Sequence, residues 1–327
     1  MHNLLVLLTL VIASWTQNPV GQFPALPYDD AVRVNEFYRL AARFQDQIWP
    51  NWSATPSPLL LVTPEIEYLT HHPAPPGDFK RIADGWSAHP RQFPPDLLAT
   101  FPAFGPPAVI VIGEPRNTAS KTSTRWLFTL MHEHFHQLQY GQRGYYQAVQ
   151  NLGLSHGDQT GMWMLNYPFP YKQPGIIKSF GELRDLLLAA VSEEDPKTFA
   201  KAATQYVAAR KTFFAPLSGD DRKYLNFQLW QEGIARYTQI KAAETAVAYQ
   251  PTAEYAALAD FEPFAAYAAN ARSETLTELK RIDIAKSKRE IVYSLGATEG
   301  LLLDRLHPHW KSKYFAHPLS MDVLFEE

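Results

Sequence analysis

The sequence predicts an α+β fold that is mostly α, with a small sheet in the N-terminal third packed on a helical bulk. Three observations lead there. Thirteen of the 26 prolines lie between Pro50 and Pro107, and proline breaks a helix interior, so this stretch is expected to hold strands and ordered loops. Two short aliphatic runs, Leu59–Val62 and Ala108–Ile112, read as buried strands. Beyond residue 120 the apolar spacing turns helical almost throughout, to about residue 315. With 46% hydrophobic residues in 327, the chain has material for one core, and residues 14–327 are expected to form a single domain.

The elements follow in order. Leu4 to Ala13 is apolar apart from Thr9, and too short for a bilayer span of ~20 residues. It fits the apolar core of an export signal, with small residues Val11 and Ala13 ahead of the cleavage point. Residues 1–13 are therefore expected to be removed and the mature protein to be secreted or periplasmic; a buried strand or helix is the competing reading. Asp29 or Asp30 is expected to cap a helix whose apolar side carries Val34, Phe37, Tyr38, Ala41, Phe44 and Ile48. Past the proline-rich region 50–107, helices are expected over about 122–150, 179–193, 196–214, 219–248, 252–282 and 286–305, with Ser218 and Asp221 as a capping pair for the fourth. The aromatic segment Gly161–Tyr171 is expected to be a loop that either covers the core or lines an apolar subsite.

Charge and composition narrow the chemistry. Lys plus Arg is 30 and Asp plus Glu is 33, so no basic excess exists to hold a phosphate backbone, and no nucleic-acid partner is expected. Nor is stable membrane insertion. The chain has no cysteine, which excludes disulfides, thiolate metal sites and cysteine nucleophiles. Any catalysis must use oxygen and imidazole.

His132-Glu133-His134-Phe135-His136 satisfies H-E-x-x-H, and the preceding Thr122–Met131 supplies a cap and an apolar helical run. On a helix, positions four apart share a face, so His132 and His136 can reach one metal ion. Glu133 lies about 100° round and can lean toward a metal-bound water as general base. His134 faces away and is expected to serve as a supporting or surface residue. A catalytic zinc site needs a third protein ligand. The extension that would place a third histidine close by fails, because Gln139 and Gln142 stand where Gly and His are required. Glu232, in Leu229–Tyr237, is the leading candidate: a carboxylate in apolar helical surroundings, followed by a glycine that permits close helix approach. A Glu232–Arg236 pair at i,i+4 is the competing explanation. His156 and Asp158 are the alternative ligands.

His132–His136 followed far downstream by Glu232-Gly-Ile-Ala-Arg-Tyr237 resembles the gluzincin zinc metallopeptidases, in which a second helix supplies a glutamate ligand. The chain looks closer still to secreted bacterial zinc peptidases with H-E-x-x-H-Q-x-Q and then E-G-x-A-x-Y, over roughly residues 108–315. The resemblance implies a zincin-like fold, a Zn2+ cofactor held by His132, His136 and Glu232, and a peptide or protein substrate. The chain departs from thermolysin-like enzymes in spacing, since Glu232 lies 96 residues past His136. The implied chemistry has Glu133 deprotonate the attacking water, with Tyr293 as first candidate and Tyr237 as second for stabilising the oxyanion. A buried tyrosine bonded to backbone would equally account for either. Two other readings stay open: a catalytically inactive metal-binding or recognition protein, and a zinc amidase or esterase acting on a small molecule. The oligomeric state is not legible.

Overall fold

Helix α1 (Tyr28–Ile48) opens the part of the chain that the computed structural model describes, residues 23–83 and 85–326. The export reading of residues 1–13 lies outside it. Neither aspartate caps α1: Pro27 precedes the helix without a side-chain bond, and Asp30 accepts from Arg33 at 2.8 Å. Both carboxylates instead sit in the first turn, where the helix dipole favours them. The predicted apolar side is correct, with Val34, Phe37, Ala41 and Ile48 in the main core.

The proline-rich stretch folds as expected into strands and loops. Strands β1 (Leu59–Val62), β2 (Ile66–Thr70), β3 (Lys80–Ala83), β4 (Trp86–Pro90), β5 (Leu98–Phe101) and β6 (Val109–Gly113) form one mixed sheet in the order β3-β4-β2-β1-β6-β5. Only β1 and β6 are parallel, with Leu59 opposite Ile110 and Val62 opposite Gly113. Their unbroken aliphatic sequences have a physical cause: both faces are covered. Leu59, Leu61, Ile110 and Ile112 face the main helical core. Leu60, Val62, Val109 and Val111 face a smaller cluster with Phe79, roofed by Phe101 of β5 and by Phe93 and Phe104 from the loops.

The rest is helical. The helix predicted over 122–150 is two, α2 (Ser123–Tyr140) and α3 (Tyr145–Asn151), parted at Gly144, whose φ of +81° is a left-handed conformation open to glycine. Thr122 caps α2 by accepting from the Arg125 amide. A short helix α4 (Trp163–Asn166) interrupts the segment read as pure loop, because its prolines begin only at Pro168. Helices α5 (Pro174–Ser192) and α6 (Pro196–Phe214) pack as a hairpin. The 219–248 prediction is a continuous run of α7 (Gly219–Gln228), one π turn (Leu229–Gly233) and α8 (Ile234–Thr245), and Ser218 caps it as predicted. The 252–282 prediction splits into α9 (Ala253–Ala256) and α10 (Phe264–Arg281), with Pro263 immediately preceding α10. Helices α11 (Ile284–Ser287), α12 (Ile291–Leu306) and α13 (Trp310–Tyr314) follow. Among the described residues, no helix is long and apolar enough to cross a membrane.

Three contacts place the site. Helix α2 packs on β5 and β6 on one side and α8 on the other. Its rear face is pinned: Trp126 Nε1 donates to the Gly113 carbonyl, and the Gln137 amide donates to Pro58 and Ala108 at the entrances of β1 and β6. Helix α12 crosses the π turn at Gly233 and Gly296, where a Cβ on either residue would fall 2.5–2.6 Å from the other's Cα. The glycine after Glu232 thus permits close helix approach, as expected.

Candidate metal centre

Helix α2 carries His132, Glu133 and His136 onto the floor of a cleft of about 1510 Å³. All three are buried, and their ligand atoms lie within 4.8 Å of one another, a group that could hold a metal ion. The two imidazole Nε2 atoms are 3.1 Å apart. From the facing π turn, Glu232 brings Oε2 to 3.3 Å from His136 Nε2 and 3.7 Å from His132 Nε2. Ligands at zinc–nitrogen or zinc–oxygen distances of about 2.0–2.1 Å in a tetrahedron stand roughly 3.3 Å apart. The triangle of donors fits that size.

Two of the three donors, His136 and Glu232, are held by neighbours outside the set. Gln139 turns its amide nitrogen toward three oxygens, the Trp230 and Gln231 carbonyls and the Tyr314 hydroxyl. Its oxygen therefore accepts from His136 Nδ1 at 2.7 Å, leaving the Nε2 lone pair for a cation. One side chain thus couples His136 to the turn bearing Glu232. The π turn exposes those carbonyls by shifting the helical bonds, a geometry that recurs at functional sites. Glu232 Oε1 accepts from Arg289 at 2.7 Å, so its Oε2 is the oxygen presented to the histidines. The competing Glu232–Arg236 pair does not form among the described residues; Glu232 meets His132, His136 and Arg289 instead. Glu133 Oε2 accepts from the Thr100 hydroxyl at 2.7 Å, which ties it to edge strand β5.

The electrostatics agree with mutual stabilisation. Burial opposes charge on His136, but the Glu232 carboxylate overcomes it and raises this pKa to about 9. Burial lowers that of His132, with Glu232 opposing. Burial would raise the Glu232 pKa, yet His136, His132 and Arg289 hold it well below the usual carboxylate range.

The remaining predicted residues separate cleanly. Tyr293 lines the cleft, its ring 6.2 Å from that of His132, and its hydroxyl accepts from Arg289 at 3.1 Å. Tyr237 does not belong to the site: it is fully buried, and its hydroxyl donates to Asp304 at 2.7 Å between α8 and α12. His156 is exposed, and Asp158 accepts from Thr160 and the Trp163 amide, which makes it a turn residue on the cleft rim. His134 is not at the surface. It is buried between Gln137 and Gln45 and stacked on Trp52, and burial lowers its pKa to about 4. The aromatic segment divides: Met162 and Leu165 are exposed in the cleft, while Phe169 and Tyr171 enter the core. Thr100 and Arg289 escaped the sequence reading, which named Gln139 without a role. Only Gln139 left a signal, one helical turn past His136.

No protein-family model matches the chain, and no curated protein or solved structure is significantly similar to it.

Proposed function

We propose that this chain is a zinc-dependent peptidase in which His132, His136 and Glu232 hold the metal and Glu133 is the general base. The observation that carries the reading is the convergence of two Nε2 atoms and Glu232 Oε2 within 3.1–3.7 Å of one another, beside a second carboxylate. Two carboxylates are close, and their partners divide the roles. Glu232 touches both imidazoles, whereas Glu133 is drawn toward β5 by Thr100. A His2Glu set is a catalytic zinc set. Bound there, zinc would supply Lewis acidity and bring a water's pKa to about 7.

Glu133 accepts the proton of the attacking water and returns it to the departing amine, so that neither a hydroxide nor an amide anion has to form free in solution. Tyr293 is the oxyanion donor: its oxygen accepts from Arg289, which leaves its own hydrogen free to point into the cleft. The same test removes Tyr237, whose hydrogen is committed to Asp304.

A peptide substrate is favoured over a small amide or ester by two features. The cleft exceeds the ~300–1,000 Å³ of small-molecule sites. Among the described residues, strand β5 is the last in the sheet and pairs only with β6, and Leu97–Pro102 line the cleft, so its outer backbone edge can add an extended peptide as a further strand. Metal analysis with a peptide-library digest tests the reading. About one zinc per chain and Glu133-dependent cleavage are expected; a metal-free protein that cleaves peptides would overturn it.

A further inference from the structure

We propose that Arg236 forms an anion subsite beside the metal centre that takes a carboxylate of the substrate. The proposal rests on the peptidase reading and adds what that cleft selects. Three arginines line the cleft: Arg125, Arg236 and Arg289. Arg289 is paired with Glu232 at 2.7 Å and Arg125 with Glu274 at 3.1 Å. Among the described residues, the Arg236 side chain makes no hydrogen bond, and no carboxylate comes within 4.0 Å of it. Its Nε is buried without a partner. Its ring contact is with Tyr293, 5.8 Å away, and at longer range it attracts the Glu278 carboxylate and the Tyr267 hydroxyl.

A half-buried guanidinium without a hydrogen-bonded counter-ion is costly, and its planar fork matches a carboxylate through two parallel bonds. Arg236 stands on α8 four residues past Glu232, so the fork faces the same cleft as the metal ligands. Tyr293 lies between, 6.2 Å from the His132 ring. These two ring distances bound the path from His132 to Arg236, which an extended peptide at roughly 3.3 Å per residue covers in at most about three or four residues. Glu278 on α10 lines the same wall but is exposed and makes no ion pair with Arg236.

The carboxylate has two sources, the C-terminus of a short peptide or an acidic side chain near the cleaved bond. Calorimetry on zinc-loaded E133Q protein separates them with three probes: N-acetyl-trialanine, its C-terminal amide, and the amide with glutamate in the middle position. One of the anionic probes should bind at least about tenfold more tightly than the neutral amide, and R236Q in the same background should erase that preference. R236K should retain part of it. Equal binding of all three, or a preference that survives R236Q, would overturn the subsite. So would an E278Q variant that matches R236Q in lowering Tm while neither changes the preference, because Arg236 would then be a structural partner of Glu278. A thermal-shift comparison of N-acetylalanine with N-acetylalaninamide, which differ by the carboxylate, on E133Q protein with and without R236Q needs no peptide chain. Discrimination there without turnover of any peptide by the wild type refutes the peptidase and keeps the subsite. Peptide turnover without discrimination refutes the subsite alone.

Discussion

Glu133 and Gln139 sit on one helix and do different work for the same metal. Glu133→Gln is nearly isosteric and can still accept from Thr100, but it cannot shuttle a proton. Zinc content and fold should persist while turnover falls by roughly 10²–10⁴. Loss of zinc in this variant would make Glu133 a ligand instead. Gln139→Met acts in the opposite sense. It removes the acceptor for His136 Nδ1 and the donor to the Trp230 and Gln231 carbonyls. Zinc affinity should drop by about 10–100-fold, measured against a competing chelator, with Glu133 untouched. An unchanged affinity would mean that packing alone orients the imidazole.

At the scale of elements, the site depends on how closely α12 approaches the π turn. A methyl group at residue 296 would meet the Gly233 Cα at 2.6 Å, with the Leu229 carbonyl at 3.1 Å. Backbone on both sides cannot yield cheaply, so Gly296→Ala should cost about 1–3 kcal/mol in urea unfolding. It should also weaken zinc binding, because the displaced residue adjoins Glu232. Stability loss without metal loss would show that Arg289 holds Glu232 in place independently of the crossing. The ligand set has its own element-scale test: His132→Ala, His136→Ala and Glu232→Ala should each lose most of the zinc. Full occupancy in the last would remove Glu232 from the set.

Across the whole molecule, a buried ionic network joins α6, α12 and the C-terminal segment. Arg210 donates to Glu299 at 2.7 Å and bonds Asp322, while Arg222 reaches the same aspartate at 3.2 Å. Burial would raise the Asp322 pKa, but the two arginines prevail and lower it below 3.8. A carboxylate whose folded pKa is depressed binds fewer protons in the native than in the unfolded state. Its contribution is therefore complete above the unfolded value and is lost as pH falls through that value toward the folded one. Wild-type unfolding midpoints should decline below about pH 4 more steeply than those of Asp322→Asn. Parallel curves would show that the network does not sense pH through Asp322.

Local rules determined what lies within a few turns of chain. The strands β1 and β6, the cap at Ser218 and the shared face of His132 and His136 follow from short unbroken aliphatic runs, capping chemistry and the helical repeat, each set by neighbours in sequence. The breaks at Gly144 and Pro263 were also written there, but apolar spacing on either side masked them. The partners of Glu232 belong to another order. Nothing near residue 232 says that Arg289 rather than Arg236 will hold it, because a π turn and the Gly233–Gly296 crossing set its direction. Thr100 reaches Glu133 only because the sheet lays β5 along α2, and Tyr237 leaves the site only because Asp304 lies behind it. Periodicity fixes which face a residue occupies on its own helix, whereas convergence of helices and strands distant in sequence is decided by packing.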